Sequence, residues 1–458
     1  MTEGEPDGGV AIPAGGPAKR SITRTTLLLL PTQIVFRGGE AILPLLLATW
    51  FGRSDATDVY YFAWAVFSFA GSLVFSAYQD SALVPILAEL RLAEAGREER
   101  ELPRVLGSLL AYTLVLGGAL AVAIGLAALA WFGVRYGGGD WLLASRMVPA
   151  FSVYLVALSV KTFLVAVLNS EHRYFAHPLA SSLAVVTTIA VIAFGRGALG
   201  IAAVPVASLA GELVAIAALG WVALRAAGIR IRLTLDRPEP VLRFARLIAA
   251  EVGGGAVTRV NPVVDQLMAG LAAVAGGGTL LRYSGDVASL PTSLLQASLL
   301  PVLLSHLSDD FVAGRLDRLR ATVARALVVV VAILAVLGLA LHLAREPLLR
   351  FVFLRGAMDA GGVARMARLL PYHLVGLPAF GALLVLARAH VAMKNSGIML
   401  GMGALNAGLN AAFNVVLLKA IGLEGIALST SCVQVAIAIV FWLRFDAKLA
   451  RARAEALG

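Results

Sequence analysis

Charged residues are scarce in this sequence, cysteine is almost absent, and the motifs of soluble enzymes are missing. Only 14% of the 458 residues are charged and 7% are aromatic, whereas 59% are hydrophobic. There is no Gly-Lys-Ser/Thr phosphate loop, no His-Glu-x-x-His zinc motif and no group of closely spaced cysteines and histidines. Cys432 stands alone, which excludes an intrachain disulfide. We therefore expect neither an enzyme nor an ATP-driven pump that acts by itself.

Long apolar runs take the place of those features. About twelve of them, each of roughly 20 residues, follow one another between Thr26 and Phe445, and a helix of that length crosses the ~30 Å hydrocarbon layer of a membrane. Lipid cannot satisfy free backbone N–H and C=O groups, so helices are the form expected of these runs. The sequence predicts an all-α polytopic membrane protein with about 12 transmembrane helices.

The distribution of basic residues predicts the orientation in the membrane. A formal charge of +10 would suggest a nucleic-acid partner in a soluble chain, but in a membrane protein it reflects cytoplasmic loops. With the N terminus inside, roughly two dozen basic residues fall on the inner side and about eleven on the outer side. We expect a multi-pass protein of the bacterial inner membrane with both termini cytoplasmic and no nucleic-acid partner. The exception is the outer segment 345–368, rich in arginine, which we interpret as partly an amphipathic surface helix.

Short motifs recur at a period of about 220 residues, as expected of a transporter built from two repeats. The segment that begins at Gly200 resembles the one at Gly425, and Val84-Pro85 resembles Leu300-Pro301. We predict two six-helix lobes around a central cavity. The predicted boundaries are a disordered cytoplasmic tail (1–24), an N-terminal lobe (25–227), a C-terminal lobe (228–446) and a second cytoplasmic tail (447–458).

Polar residues inside the apolar runs are the candidate functional residues, because a charge at mid-bilayer costs roughly 2.5–3.5 kcal/mol on insertion scales. Arg37 and Glu40 lie one turn apart in the first span, as a functional or a structural pair. Asp265 has the strongest claim, since a lone carboxylate close to Pro262 in a bent helix requires a cation. Further charged residues in the apolar runs are Lys161, Glu212, Glu251 and Arg259. Asn406, Asn410 and Asn414 form an asparagine ladder that either forms a site or joins helices.

Several motifs in order resemble one family. They are Phe36-Arg-Gly-Gly-Glu, the run from Leu47 to Val59 with its Asp-Ala-Thr-Asp, Leu83-Val-Pro-Ile-Leu-Ala-Glu, Asp265-Gln-Leu-Met-Ala-Gly-Leu and Gly422-Leu-Glu-Gly-Ile-Ala-Leu-Ser-Thr. Together they resemble the MurJ/MviN family of bacterial lipid II flippases, which belongs to the multidrug/oligosaccharidyl-lipid/polysaccharide exporter superfamily. The resemblance implies a flippase that moves a polyprenyl-diphosphate glycan across the inner membrane by ion- or potential-coupled alternating access, for cell-wall or polysaccharide assembly.

The resemblance also assigns residues. It places Arg37 on a cavity arginine of the family's first helix and Asp58 on the aspartate of its Ala-Thr-Asp motif. With Glu40 as the partner of Arg37 and Arg259 as a replacement cation, these are the predicted substrate-binding residues. Lys161 and Arg282 are the alternative sources of replacement charge for the diphosphate. Four residues match a cation site of the family: Asp265, Asn410, Asn414 and Thr430. The resemblance implies that the coupling ion is Na⁺ or H⁺ and that the protein has no other cofactor.

The chain also departs from the family pattern. Leu43, Gly71 and Asp286 stand where the family has arginines, which points to a lipid-linked glycan other than lipid II. Two alternatives remain open: a drug/cation antiporter of the same superfamily, and a non-transporting scaffold in an envelope-assembly complex. The expected partners are a lipid-linked oligosaccharide, membrane lipids and, in the scaffold case, envelope-biosynthesis proteins.

Overall fold

The computed structural model describes residues 39, 42–76, 83, 86–87, 89–90, 101–135, 138–171, 173, 175–226, 231–246, 259–272, 274–395 and 397–457. Within these ranges the regular structure is helical, and they contain no strand. The helices of the first half are α1 (Ile42–Phe51), α2 (Asp55–Ser76), α3 (Leu102–Arg135), α4 (Gly138–Ser170), α5 (Ala176–Leu199), α6 (Ala203–Trp221) and the short α7 (239–246).

The second half continues with seven further helices in the described ranges. They are α8 (Asn261–Ala269), α9 (Gly277–Val312), α10 (Leu316–Phe353), α11 (Ala360–Leu374), α12 (Leu377–Ala392), α13 (Ile398–Ile421) and α14 (Leu423–Leu457). The segment predicted as a C-terminal tail (447–458) is not separate from the last helix, since α14 continues through it to Leu457.

Six helical stretches in the described residues are long and apolar enough to cross a membrane, or seven if the bent pair α11 and α12 forms one span. One of the six holds both α5 and α6, which a short 3₁₀ turn separates and which then pack against each other. The helices α1 and α8 lie at the ends of the runs predicted as the first and seventh spans. This architecture confirms the predicted all-α polytopic membrane fold.

The helices pack in two groups. In the first half α2, α3 and α6 pack against α4, and α5 packs against α6. In the second half α12 is surrounded by α9, α10 and α14. The two lobes meet where α2 contacts α8 and α9. The rings of Tyr61 on α2 and Tyr283 on α9 lie edge to face at 5.5 Å within one continuous apolar core that extends through both lobes. Buried residues at the other end of the first lobe, including Leu106 and Phe163, form a separate cluster.

Connections from both lobes converge at one end of the molecule, which we call the outer end because the charge pattern predicts that it faces outward. The turn between α1 and α2 lies against the segment between α10 and α11, where the Ala357 N–H donates to the Thr49 carbonyl at 2.8 Å. Gly356 has a φ of +58° and fits so closely that a Cβ there would clash with the Thr49 carbonyl. At the opposite end, α10 and α14 are joined by an Asp317–Arg453 pair and an Arg320–Asp446 pair, the latter at 3.2 Å.

The arginine-rich segment 345–368 is not a single surface helix. Its first part completes α10, which ends at Phe353, and its second part begins α11 at Ala360. The helix α11 is amphipathic, with Met366 and Leu370 buried and Arg368 exposed. The Asp359 carboxylate accepts the Gly362 N–H at 3.0 Å and so caps α11, which is the physical reason for the break. The prediction of an amphipathic helix thus holds for α11 only.

The close fit of Gly356 leads to a stability prediction. Gly356→Ala should lower the thermal melting temperature of the detergent-solubilised protein clearly more than Gly314→Ala, although both glycines have positive φ. The control Gly314 has a φ of +69° and no heavy atom within 4 Å of an added Cβ, so its change reports the backbone cost alone, of about 1 kcal/mol. Equal shifts for the two variants would show that the outer-end contact is not tightly packed.

Candidate functional site

A partly buried carboxylate on α8, that of Asp265, organises the polar groups of the second lobe. Asp265 Oδ1 accepts hydrogen bonds from Asn410 Nδ2 at 2.9 Å and from Asn414 Nδ2 at 2.8 Å. Both asparagines are essentially inaccessible, and their spacing of four residues puts them on the same face of α13. Thr430 on α14 faces the same carboxylate. The structure therefore brings together the four residues that the sequence predicted as a cation site.

The donor set of this cluster suits a hard monovalent cation. The side-chain oxygen of Asn414 is buried and has no hydrogen-bond partner, although a buried polar atom is normally satisfied. Rotation of an asparagine amide exchanges its NH₂ group for its oxygen, so both amides can present oxygen beside the carboxylate. Asn406 does not join them, because it accepts a hydrogen bond from Asn261 Nδ2 at 3.0 Å. The ladder is thus divided between a cluster and an inter-helix bond.

A cavity of about 330 Å³ adjoins the cluster and is lined by Asp265, Thr430 and polar residues of α9 and α11. Across it, Arg282 Nε pairs with Asp286 at 3.0 Å, one turn apart on α9. His373 Nε2 is buried at the wall with no partner. The cavity therefore combines a guanidinium, two carboxylates and an unpaired imidazole nitrogen. Asp286, which stands where the family has an arginine, here faces an arginine one turn away.

Asp58 makes its contacts at the junction of the lobes. One carboxylate oxygen accepts both the backbone N–H and the hydroxyl of Thr279 at 2.7 Å. Thr279 lies in the first turn of α9, where free N–H groups and the helix dipole favour a negative charge. Asp58 thus caps a helix of the other lobe, and it does not line the cavity of Arg282.

Arg259 also joins the two lobes. Its Nη1 donates to the Ser72 carbonyl near the end of α2 at 2.6 Å. This places Arg259 against the backbone of the first lobe, and it does not line the cavity of Arg282. Arg37 and Glu40, the other predicted substrate-binding residues, lie outside the described residues.

Two other sequence features find a structural explanation. A Cβ at Gly71 would lie 2.7 Å from Leu158, so the larger arginine of the family would not fit there without repacking. Lys161 and Glu212 form a buried ion pair at 2.7 Å between α4 and α6. They are internal partners within the first lobe, and they contribute nothing to the cavity of the second lobe.

Sequence reasoning missed an ion pair at the outer end. Arg53, in the turn between α1 and α2, bonds through Nε and Nη2 to the two carboxylate oxygens of Asp359 at 2.8 and 3.1 Å. This bidentate hydrogen bonding lowers the pKa of the Asp359 carboxyl to about 2. The residues are 306 positions apart, and neither interrupts an apolar run, so the sequence carried no signal for the contact.

Solved structures of known transporters share the fold of this protein. The fold matches a lipid II flippase MurJ structure in an inward closed conformation, with a TM-score of 0.74 and 18% identity over 95% of this chain and 91% of that one. It also matches an inward-facing multidrug-resistance MATE transporter (TM-score 0.75, 13% identity, 92% and 96% covered) and an outward-facing one (TM-score 0.61, 12% identity, 93% and 96% covered). The chain therefore shares its fold with a MurJ flippase and with MATE transporters.

Sequence comparisons identify the family. The sequence profile described as lipid II flippase MurJ matches residues 47–456. A probable lipid II flippase MurJ of Rhizobium tropici is 25% identical over 395 residues (84% of this chain, 73% of the relative), and the lipid II flippase MurJ of Burkholderia cenocepacia is 26% identical over 401 residues (84% and 76%). The chain belongs to the MurJ lipid II flippase family, which confirms the resemblance seen in its motifs.

The outer-end ion pair generates a pH-dependent prediction. Asp359→Asn should lower the melting temperature at pH 7 by the equivalent of up to about 1 kcal/mol, since the pair is partly exposed, while an asparagine can still cap α11. Because the pKa is lowered in the folded state, the stabilisation is present above the unfolded value of about 3.9 and is lost as the pH falls towards 2. Melting curves at pH 7 and pH 3 should therefore show a smaller difference at pH 3. A difference independent of pH would rule out a contribution from the charge.

Proposed function

We propose that this protein is a flippase that moves a lipid-linked, polyprenyl-diphosphate glycan precursor across the bacterial inner membrane for cell-wall or polysaccharide assembly. Family membership supports the class of transport. The observation that carries the proposal for this chain is the cavity of about 330 Å³ that places Arg282 next to the Asp265 cluster. A transporter of a charged head group needs a cation in a wet cavity and a device that couples binding to movement.

Arg282 is the group that we assign to the diphosphate. Its guanidinium is always charged and presents several donors in a plane, which suits phosphate oxygens. Asp286 holds it in the absence of substrate and would lose its partner when a phosphate competes for the same donors. His373 supplies a further polar contact in the cavity. Arg37 and Arg259 remain proposed contributors to head-group binding at other stages of the cycle, with Glu40 as the counter-ion of Arg37.

We assign the coupling ion to Asp265, Asn410, Asn414 and Thr430. A carboxylate with two amide oxygens and a hydroxyl offers the hard donors that Na⁺ prefers, and the unpartnered oxygen of Asn414 supports that assignment. Protonation of the same carboxylate is the alternative means of coupling. Bound cation would neutralise Asp265 and join α8, α13 and α14, so that the second lobe would change its packing with ion occupancy.

Among the described residues, the contacts of Asp58 and Arg53 support an arrangement that is closed at the outer end. The apolar core is continuous across the lobe junction, whereas the far end of the first lobe has its own cluster. Two residues of the first lobe bind the second lobe at the outer end. Asp58 binds the start of α9, and Arg53 binds Asp359 in the segment before α11. Opening of the outer end would break both contacts.

We propose that both termini are cytoplasmic, and that the partners are the lipid-linked substrate, membrane lipids and envelope-biosynthesis proteins.

The sodium assignment predicts a selective stabilisation. Adding NaCl in place of choline chloride should raise the melting temperature of the wild type, and Asp265→Asn and Asn410→Ala should abolish the shift. Asn406→Ala is the matched control, because Asn406 lies one turn away on the same helix but bonds to Asn261, and it should retain the shift. A sodium response that persists in Asp265→Asn would place the ion elsewhere, and no response in any protein would favour coupling by protons.

Transport itself tests the assignment of Arg282. In proteoliposomes that contain a fluorescent polyprenyl-diphosphate glycan, Arg282→Gln and Arg37→Ala should each reduce flipping at least about tenfold, which corresponds to about 1.4 kcal/mol. Arg37→Lys should retain part of the activity. The control Arg318→Gln removes an exposed arginine that pairs with Asp310 outside the cavity and should leave flipping unchanged. Wild-type flipping by Arg282→Gln would exclude Arg282 as the diphosphate ligand, and no flipping by the wild type would favour a scaffold role.

A further inference from the structure

The arginines of segment 345–368 have no role in the proposed transport cycle. They lie at the outer end, where basic residues are otherwise few. The Arg53–Asp359 pair joins this segment to the turn between α1 and α2 and so fixes it at that end. An excess of arginine on the outer side opposes the usual distribution of charge in membrane proteins. These outer arginines are therefore candidate ligand-binding residues.

Three of these arginines line a groove. The end of α10, one face of α11 and the start of α14 enclose a space of about 830 Å³, within the range of roughly 300–1,000 Å³ that is typical of ligand sites. Its charged lining residues are Arg345, Arg350 and Arg368 together with Glu346 and Glu424. The cavity of Arg282 shares none of these residues, so the groove is a separate site.

The charges of the groove are not neutralised by each other. Among the described residues, the ion pair near this segment joins Arg53 to Asp359, and no pair within 4.0 Å joins an arginine of the groove to Glu346 or Glu424. Arg345 uses one N–H on the His342 carbonyl at 2.6 Å, which leaves its other donors free. Three arginines and two glutamates give the lining a net charge of +1. One negative charge would balance it.

Apolar surface accompanies these charges. Val363 and Ala367 are buried at the floor of the groove, and Leu354 and Ile421 are exposed by 43% and 42% at its edge. On α10 next to it, Phe351 is exposed by 73%. Cationic groups at the end of a membrane helix, with lipid-exposed side chains beside them, complement a molecule that has a phosphate head and hydrocarbon chains.

We propose that this groove binds the head group of a membrane phospholipid with one negative charge, of the phosphatidylglycerol type. The phosphodiester is held by Arg345, Arg350 and Arg368, and the acyl chains lie along Leu354 and Phe351. A zwitterionic phospholipid brings no net charge to balance the groove. Free phosphate brings the charge without the chains, so it binds more weakly. The bound lipid joins α10, α11 and α14 and thereby stabilises the outer end of the second lobe.

A pair of double variants tests this site. Arg350→Gln/Arg368→Gln removes two arginines of the groove. Arg365→Gln/Arg388→Gln removes two arginines that do not line it, one from the same segment and one from α12, so the change in charge is equal. Each full-length protein is placed in phosphatidylcholine nanodiscs with increasing phosphatidylglycerol. The melting temperature and the lipid retained in native mass spectrometry are the measurements.

Phosphatidylglycerol should raise the melting temperature of the wild type and the control variant, whereas its binding to the groove variant should be about tenfold weaker. The two variants and the wild type should melt alike in phosphatidylcholine alone. If the groove variant is unstable there, the single variants Arg350→Gln and Arg368→Gln should each show an intermediate loss. An equal loss in both double variants would indicate a general effect of surface charge and would refute the site.

Two further comparisons identify the ligand. Phosphatidylethanolamine should not replace phosphatidylglycerol, and equal stabilisation by the two lipids would contradict recognition of a net negative head group. Inorganic phosphate at millimolar concentration should not displace the retained lipid. Displacement by phosphate would show that the groove is a site for a free anion, which would overturn its assignment to a phospholipid.

Discussion

A polar group inside a bilayer has no water to bond to, so each one that the fold retains must be satisfied by another part of the protein. In the second lobe this requirement centres on Asp265, which two asparagines of α13 satisfy. The arrangement holds α8 against α13 and exposes the carboxylate to the neighbouring cavity. The same constraint explains the buried Lys161–Glu212 pair of the first lobe. Without its partner, either member would be an uncompensated charge in the apolar core.

The link between the lobes rests on different physics. Asp58 neutralises the free N–H groups at the start of α9, and Arg53 binds the residue that caps α11. Both contacts use charge at helix termini, where the dipole adds to the attraction. Such contacts can separate and re-form more readily than an interdigitated apolar core, because their polar groups can bond to water when the helix ends part. They are therefore suited to an interface that opens in the proposed transport cycle.

The periodicity of the sequence was enough for the membrane fold and for part of the site. The spacing of Asn410 and Asn414 placed them on one face, and the cost of burying Asp265 required partners for it. The role of Asp58 was not evident from its motif, because a carboxylate at the start of α2 gives no sign that it will cap α9. The sequence also could not predict that the asparagine ladder is divided, because Asn406 and Asn410 lie on the same helix face and yet have different partners. Nothing in the sequence singled out Arg53 and Asp359 as partners.

The sequence alone determined that this is a helical membrane protein of the MurJ family, because apolar run length and local motifs are properties of neighbouring residues. Only the tertiary structure decided which polar groups meet. Asp265 and Asn410 are 145 residues apart, and Arg53 and Asp359 are 306 apart. Contacts at such separations depend on how helices pack, and many pairings of the same polar residues are compatible with the same apolar pattern. Packing selected the pairings that join α8 to α13 and the first lobe to the second.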